Sequence, residues 1–148
     1  MRDLALQKTV LTLITLLLAV PLTMAQPAAS KSSGKAIVID ERLSALREDA
    51  DTQAQVVRRL QLGQPVTILG MKGGKDGQRF YRVAVTSRTR GWVHELAVAL
   101  PGRAGEDERV MKLIEAMDEG VERLELCRIF LEHFSRSPLA PRVLMAMG

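Results

Sequence analysis

Three carboxylates fall within four positions of each other: Glu48, Asp49 and Asp51. Paired acids can hydrolyse glycosides, one as proton donor and the other as nucleophile or base, provided that they flank a bound sugar ring. Three acids on one short polar stretch, Glu48 to Thr52, lack the cleft that this chemistry requires. Two readings stay open for them, a loop that receives a basic group on a partner and a loop that is simply solvated. His94 and His133 lie in different segments, with no cysteine or acidic neighbour at the spacing of metal ligands, so no metal site is expected. Cys127, the only cysteine, sits on a helix-period stretch without a histidine partner. It reads as a buried core thiol rather than a nucleophile, and one cysteine excludes an internal disulfide. No Gly-x-Ser-x-Gly elbow or phosphate-binding glycine loop is present, and Gly73-Gly74 reads as a turn. No catalytic residue and no cofactor are assigned, and the chain reads as a non-enzyme. The remaining candidates are contact residues. Alternation along Phe80 to Val85 sets Tyr81, Val83 and Val85 on one face and Phe80, Arg82 and Ala84 on the other, so Phe80 is expected as the ring that meets a ligand. Trp92 is expected to close the domain as a core or half-buried ring, with a stacking platform as its other reading.

The elements that must position these residues change character along the chain. Ala36 to about Leu100 carries short β-branched runs. These are Ala36–Ile39, Leu43–Arg47, Val56–Leu60, Val66–Leu69, Phe80–Val85 and Gly91–His94, separated by Gly-, Pro- and Asp-containing turns. Gly70 and Lys72–Gly77 are expected as a loop. Five or six strands at this spacing imply a small sandwich or barrel, and about 65 residues is near the lower limit for independent folding. After the linker 101–105 the period becomes helical. Glu106, Asp107 and Glu108 suit a helix N-terminus, followed by Val110, Leu113, Ile114 and Met117 at helical spacing. A second helix is expected over Val121–Phe134. A third is expected to start at Ser137-Pro138, with Ser as N-cap and Pro in the first helical position. The last helix is too short to be stable alone, so it must pack on its neighbours or on a partner.

The N-terminus carries an address. Arg2 and Lys8 flank an uncharged, Leu-rich run from Val10 to Val20, Pro21 breaks it, and Thr23-Met24-Ala25 supplies small residues before Gln26. That is the layout of a secretory signal peptide over residues 1–25, and export to the periplasm or beyond is expected. An uncleaved anchor is the other reading. It needs the run to continue through Pro21, because a span takes roughly 20 residues. Cleavage leaves no integral membrane span, and residues 26–35 (QPAASKSSGK) read as a flexible tether. The chain has 47% hydrophobic and 26% charged residues, which is globular in character. Net charge is +4 overall, and +3 once Arg2, Asp3 and Lys8 are removed. The signs are interspersed and no long Lys/Arg run appears, so nucleic acid is not expected as a partner, since a phosphate-tracking surface needs clustered cations.

Residues 36–99 resemble a bacterial SH3-like domain of the SH3b type. The resemblance rests on Ser44-Ala45-Leu46-Arg47, the acidic loop Glu48 to Thr52, Val56 to Leu60, Gly63 to Gly70, Phe80-Tyr81, and Gly91-Trp92-Val93-His94. It implies a mainly β fold, an SH3-like barrel over residues 36–100, followed by a helical tail over 106–148. It also implies an envelope binding module whose partner is a protein or peptidoglycan. Carried over by position, the acidic loop is Glu48, Asp49 and Asp51, the groove ring is Phe80, and the residues after the closing strand are His94 and Ala97; the ligand contacts expected are Glu48, Asp49, Asp51, Phe80, Trp92 and His94. The sequence departs from the polyproline-binding pattern. The first strand lacks an aromatic cluster, His94 stands in place of Pro and Ala97 in place of Tyr, and a polyproline ligand needs an aromatic-lined groove. The tail from Phe130 to Ala140 is similar to one helical pair of a tetratricopeptide-like repeat. Two further functions therefore stand beside the first: assembly through the tail, and an accessory targeting module in a cell-wall hydrolase system.

Overall fold

The computed structural model describes residues 34–148. The signal-peptide assignment and most of the tether lie outside the described residues. Seven strands form one antiparallel sheet in the order β3-β2-β6-β5-β4-β1-β7. They are β1 (Gly34–Val38), β2 (Ala45–Arg47), β3 (Val56–Arg59), β4 (Pro65–Gly73), β5 (Arg79–Ala84), β6 (Arg90–His94) and β7 (Val98–Ala99). Short 3₁₀ turns at Glu41–Leu43 and Glu95–Ala97 link β1 to β2 and β6 to β7. Three helices follow, α1 (Glu106–Ala116), α2 (Val121–His133) and α3 (Ala140–Ala146).

The sheet curls around one apolar cluster supplied by nearly every strand: Val38, Leu46, Val66, Ile68, Tyr81, Val83, Val93 and Val98, with Leu60 from the turn after β3. This is the SH3-like β domain with a helical tail that the sequence led us to expect. At Gly91 two strands come too close for a side chain. A Cβ there would lie 2.7 Å from Arg47 O and 2.8 Å from Leu46 Cγ, so the β2–β6 pairing needs glycine.

Several boundaries differ from the sequence reading. Gly34 and Lys35, expected in the tether, pair with Ile68 and Thr67 as the start of β1. The expected strand Leu43–Arg47 is split, because Asp40 accepts the Arg42 N–H at 2.9 Å and caps a 3₁₀ turn before β2 begins. Gly70 and Lys72-Gly73 belong to β4 rather than to a loop. A register shift between Ile68 and Gly70 absorbs one residue there, and the strand continues to Gly73. The third helix starts at Ala140, not at Pro138. Ser137 Oγ accepts the Leu139 N–H at 3.1 Å and donates to Asp107 at 2.7 Å, which closes a turn ahead of the helix.

The helices dock on the β domain. Val110, Met111 and Ile114 of α1, Leu126, Cys127 and Phe130 of α2, and Val143 of α3 form a second cluster with Ile39 and Ala99 from the β domain. Arg109 fixes α1 to the last strand: its Nη2 donates to Val98 O at 2.6 Å and to Glu106 at 2.7 Å. Gly63, with φ +76°, turns the chain against Ile129, and a Cβ there would meet the Ile129 Cδ1 at 3.1 Å.

Candidate functional site

Phe80 is not the exposed ring that its alternation promised. It is 1% exposed, although it does face away from Val83. The loop between β2 and β3 folds over it with Ala50, itself buried, and the turn after β4 closes from the other side. A Cβ on Gly74 would lie 2.9 Å from both Phe80 Cε2 and Ala50 O. His94 supplies the third wall, edge-on with ring centroids 5.5 Å apart. Period-two patterning identifies the face of a strand, but it cannot see a long loop that covers that face.

His94 is half-buried, and both of its ring nitrogens are engaged within the domain. Its Nδ1 accepts the Leu96 N–H at 3.2 Å and its Nε2 lies 2.8 Å from Gln78 Oε1. With Nδ1 as acceptor, Nε2 carries the proton and donates. Both nitrogens are used within the domain, so His94 acts as the cap of the 3₁₀ turn and as a wall of the Phe80 site. Ala97 is fully buried in the β-domain core.

The acidic loop splits among its members. Asp49 accepts the Ala50 N–H at 2.8 Å and pairs with Lys72 Nζ at 3.1 Å. The backbone bond first, and Lys72 second, hold its carboxyl below the usual range. Asp51 accepts the Gln53 N–H at 2.9 Å and faces Lys75 at 4.0 Å. Glu48 is exposed. Asp76, which the sequence did not single out, ties the loop down by accepting from Thr52 Oγ1 at 2.8 Å and from the Gln78 N–H at 3.0 Å. Those two bonds, Thr52 first, lower its pKa.

Trp92 is half-buried on the outer face of the sheet. It pairs in register with Arg47 on β2 and Arg82 on β5, and Lys72 Nζ stands 5.7 Å from its ring centroid. Lys72 thus joins the acidic loop to the tryptophan, so Asp49 and Trp92 belong to one surface, while Phe80, on the same sheet face, is covered. The other four aromatic rings of the chain, Phe80, Tyr81, Phe130 and Phe134, are all buried, and Trp92 alone meets solvent. The sequence reading missed the cations Arg47, Lys72, Arg82 and Arg90 around it. The signal was present in the alternation Arg82/Ala84 and Arg90/Trp92, which sends these side chains to one face.

A cleft of about 1260 Å³ opens elsewhere, between the β domain and the helices. Its rim carries Glu41, Asp118, Glu119 and Glu122, all exposed, together with Arg42, which is paired with Asp40 at 2.9 Å. These are solvated charges of both signs rather than titratable groups converging on one point. No set of three metal-ligating side chains is found among the described residues. No described helix is long and apolar enough to cross a membrane.

The family model described as bacterial SH3 domain matches residues 42–98. The match runs from the first 3₁₀ turn to the start of β7. It omits β1, which nevertheless pairs with both β4 and β7, and it does not extend into the helices. No curated protein and no solved structure matches the chain.

Proposed function

We propose that this chain, which carries a bacterial SH3 domain, is an exported, non-enzymatic binding or adaptor module of the cell envelope, recognising a protein or cell-wall component. The observation that carries the reading is Trp92. It is the only aromatic ring left at the surface, and it stands where the acidic loop, the end of β4 and the outer sheet face meet. An indole that is half-buried in the folded domain offers rigid, pre-ordered area to a partner at low entropic cost. The export part rests on the signal-peptide layout of residues 1–25.

The test is retention on purified peptidoglycan sacculi and on cross-linked envelope proteins. Wild type is compared with Trp92→Ala and with the triple variant Glu48→Ala, Asp49→Ala, Asp51→Ala, each shown to be folded by circular dichroism. Loss of retention in Trp92→Ala is expected. Equal retention of all three, or none by any, removes the reading.

A second reading, assembly through the helices, is favoured by one observation. Val121 (83% exposed), Met145 (76%) and Leu144 (58%) present apolar side chains to solvent. Leu144→Glu with Met145→Glu leaves the buried cluster intact and should abolish partner capture if the helices are the contact. Unchanged capture removes this second reading.

A further inference from the structure

The charges around Trp92 specify what chemistry it can receive. Arg82 and Arg47 stand opposite it on the two neighbouring strands, and Arg90 is two residues along its own strand, hence on the same face. Lys72 lies over the ring. Four cations therefore surround one indole. In the acidic loop, Asp49 is occupied by Lys72 and Asp51 by the Gln53 N–H and Lys75, while Glu48 is exposed with no cation within 4 Å among the described residues. Arg47 donates to Ala54 O at 2.7 Å. Arg82 and Arg90 are exposed, and neither has a carboxylate within 4 Å among the described residues. The residual charge of this face is positive, opposite in sign to what the acidic loop alone suggested.

The face continues past Arg47 to Val56, its partner on β3. β3 is an edge strand and is exposed along its whole length, with Val56 and Val57 42% and 47% exposed. From β5 to β3 is three strand spacings, about 14 Å, which four or five extended residues can cover.

We propose that this face binds an acidic, extended peptide segment of a partner protein. Carboxylates fork onto Arg82 and Arg90, the partner's apolar or aromatic side chain lies over Trp92, and its far end reaches Val56 at the open edge. The proposal rests on the reading of Trp92 as the contact surface and adds the chemical class of the partner. A peptide fits better than a bilayer, because Trp92 is a single half-buried ring surrounded by cations, whereas insertion at a bilayer takes a broad apolar face.

Trp92 is the only tryptophan, so its emission reports binding directly at the site. Titration of the chain with octaglutamate should give a saturable change, with octalysine giving none. Raising salt from about 50 to about 200 mM should weaken binding severalfold. Arg82→Glu, and Arg82→Glu with Arg90→Glu, should weaken it about tenfold or more without moving the unfolding midpoint. The proposal is overturned if octaglutamate leaves the emission unchanged, if Arg82→Glu binds as tightly as wild type, or if phosphatidylglycerol vesicles bind where the peptide does not. If Trp92→Ala loses sacculus retention while Arg82→Glu keeps it, the binding-module reading stands and the acidic partner falls.

Discussion

At the scale of single residues, burial decides which side chains are available, and it reverses the order of the two candidate rings. Phe80 has its ring sealed by Ala50, Gly74 and His94. Phe80→Ala should therefore cost about 3–5 kcal/mol of unfolding free energy, the usual range for emptying a phenylalanine site, and equilibrium denaturation measures it. A cost below about 1 kcal/mol would mean that the covering loop does not hold in solution. This substitution is consequently a poor probe of ligand contact, and Trp92 is the better one. Cys127 is fully buried, and burial raises its thiol pKa above the ordinary value, with Arg123 opposing weakly. Native protein should leave this thiol unlabelled by a thiol-specific disulfide reagent at neutral pH, with one equivalent reacting once denaturant is added. Fast labelling of the native chain would show that the helical cluster opens. The thiol was legible from the sequence because its position on a helical stripe fixes its burial. The buried Phe80 was not, because its burial depends on a loop some thirty residues earlier.

Among the elements, the loop between β2 and β3 is held by polar bonds rather than by core packing alone. Ala50 is its one buried apolar anchor at 3% exposure. Around it, Asp76 joins Thr52 to the turn after β4, and Asp49 joins the loop to Lys72. Both carboxyls titrate below their ordinary range in the folded chain. A depressed folded pKa contributes stability that is present above the unfolded value and is lost as pH falls through the folded one. With carboxylates near 3.9 in unfolded chains, the loop should loosen below about pH 4 and stay closed at neutral pH. Amide hydrogen exchange over residues 48–54 reads this directly. Asp76→Asn should show the loosened pattern already at neutral pH, and protection identical to wild type throughout would disprove the clamp. The strand frame itself was readable from the β-branched runs and the Gly turns. The clamp was not, since it pairs residues 24 positions apart whose types also suit a solvated loop. The β4 boundary was misread for a related reason: glycines at 70 and 73 signal a turn locally, but pairing with Arg82 and Arg79 keeps them in the sheet.

For the whole molecule, the decisive feature is that the helices complete a surface of the β domain instead of trailing from it. Ile39 and Ala99, 2% and 0% exposed, pack with Val110, Ile114, Leu126 and Phe130. Arg109 bridges α1 to Val98 O, and Glu106 accepts the Leu100 N–H at 3.2 Å. The short α3 is stabilised in the same way, through Val143 in the cluster and Arg142 paired with Glu115. Residues 34–148 should therefore unfold in one cooperative step, with near- and far-ultraviolet circular dichroism giving coincident transitions. A chain truncated after Leu100 would expose Ile39 and Ala99 and lose the bonds from Arg109 and Glu106 to Val98 and Leu100. Its denaturation midpoint should fall well below that of the longer chain, and it should be more prone to self-association through the uncovered patch. The less invasive Ile129→Ala, which removes the side chain seated against Gly63, should lower the unfolding free energy by about 2–4 kcal/mol and move the midpoints of both probes together. Two separated transitions, or a truncated domain as stable as the full one, would show that the helices are an independent appendage. In that case the rigid surface around Trp92 would belong to the β domain alone, and the contribution of the tail to recognition would have to come from its own exposed side chains.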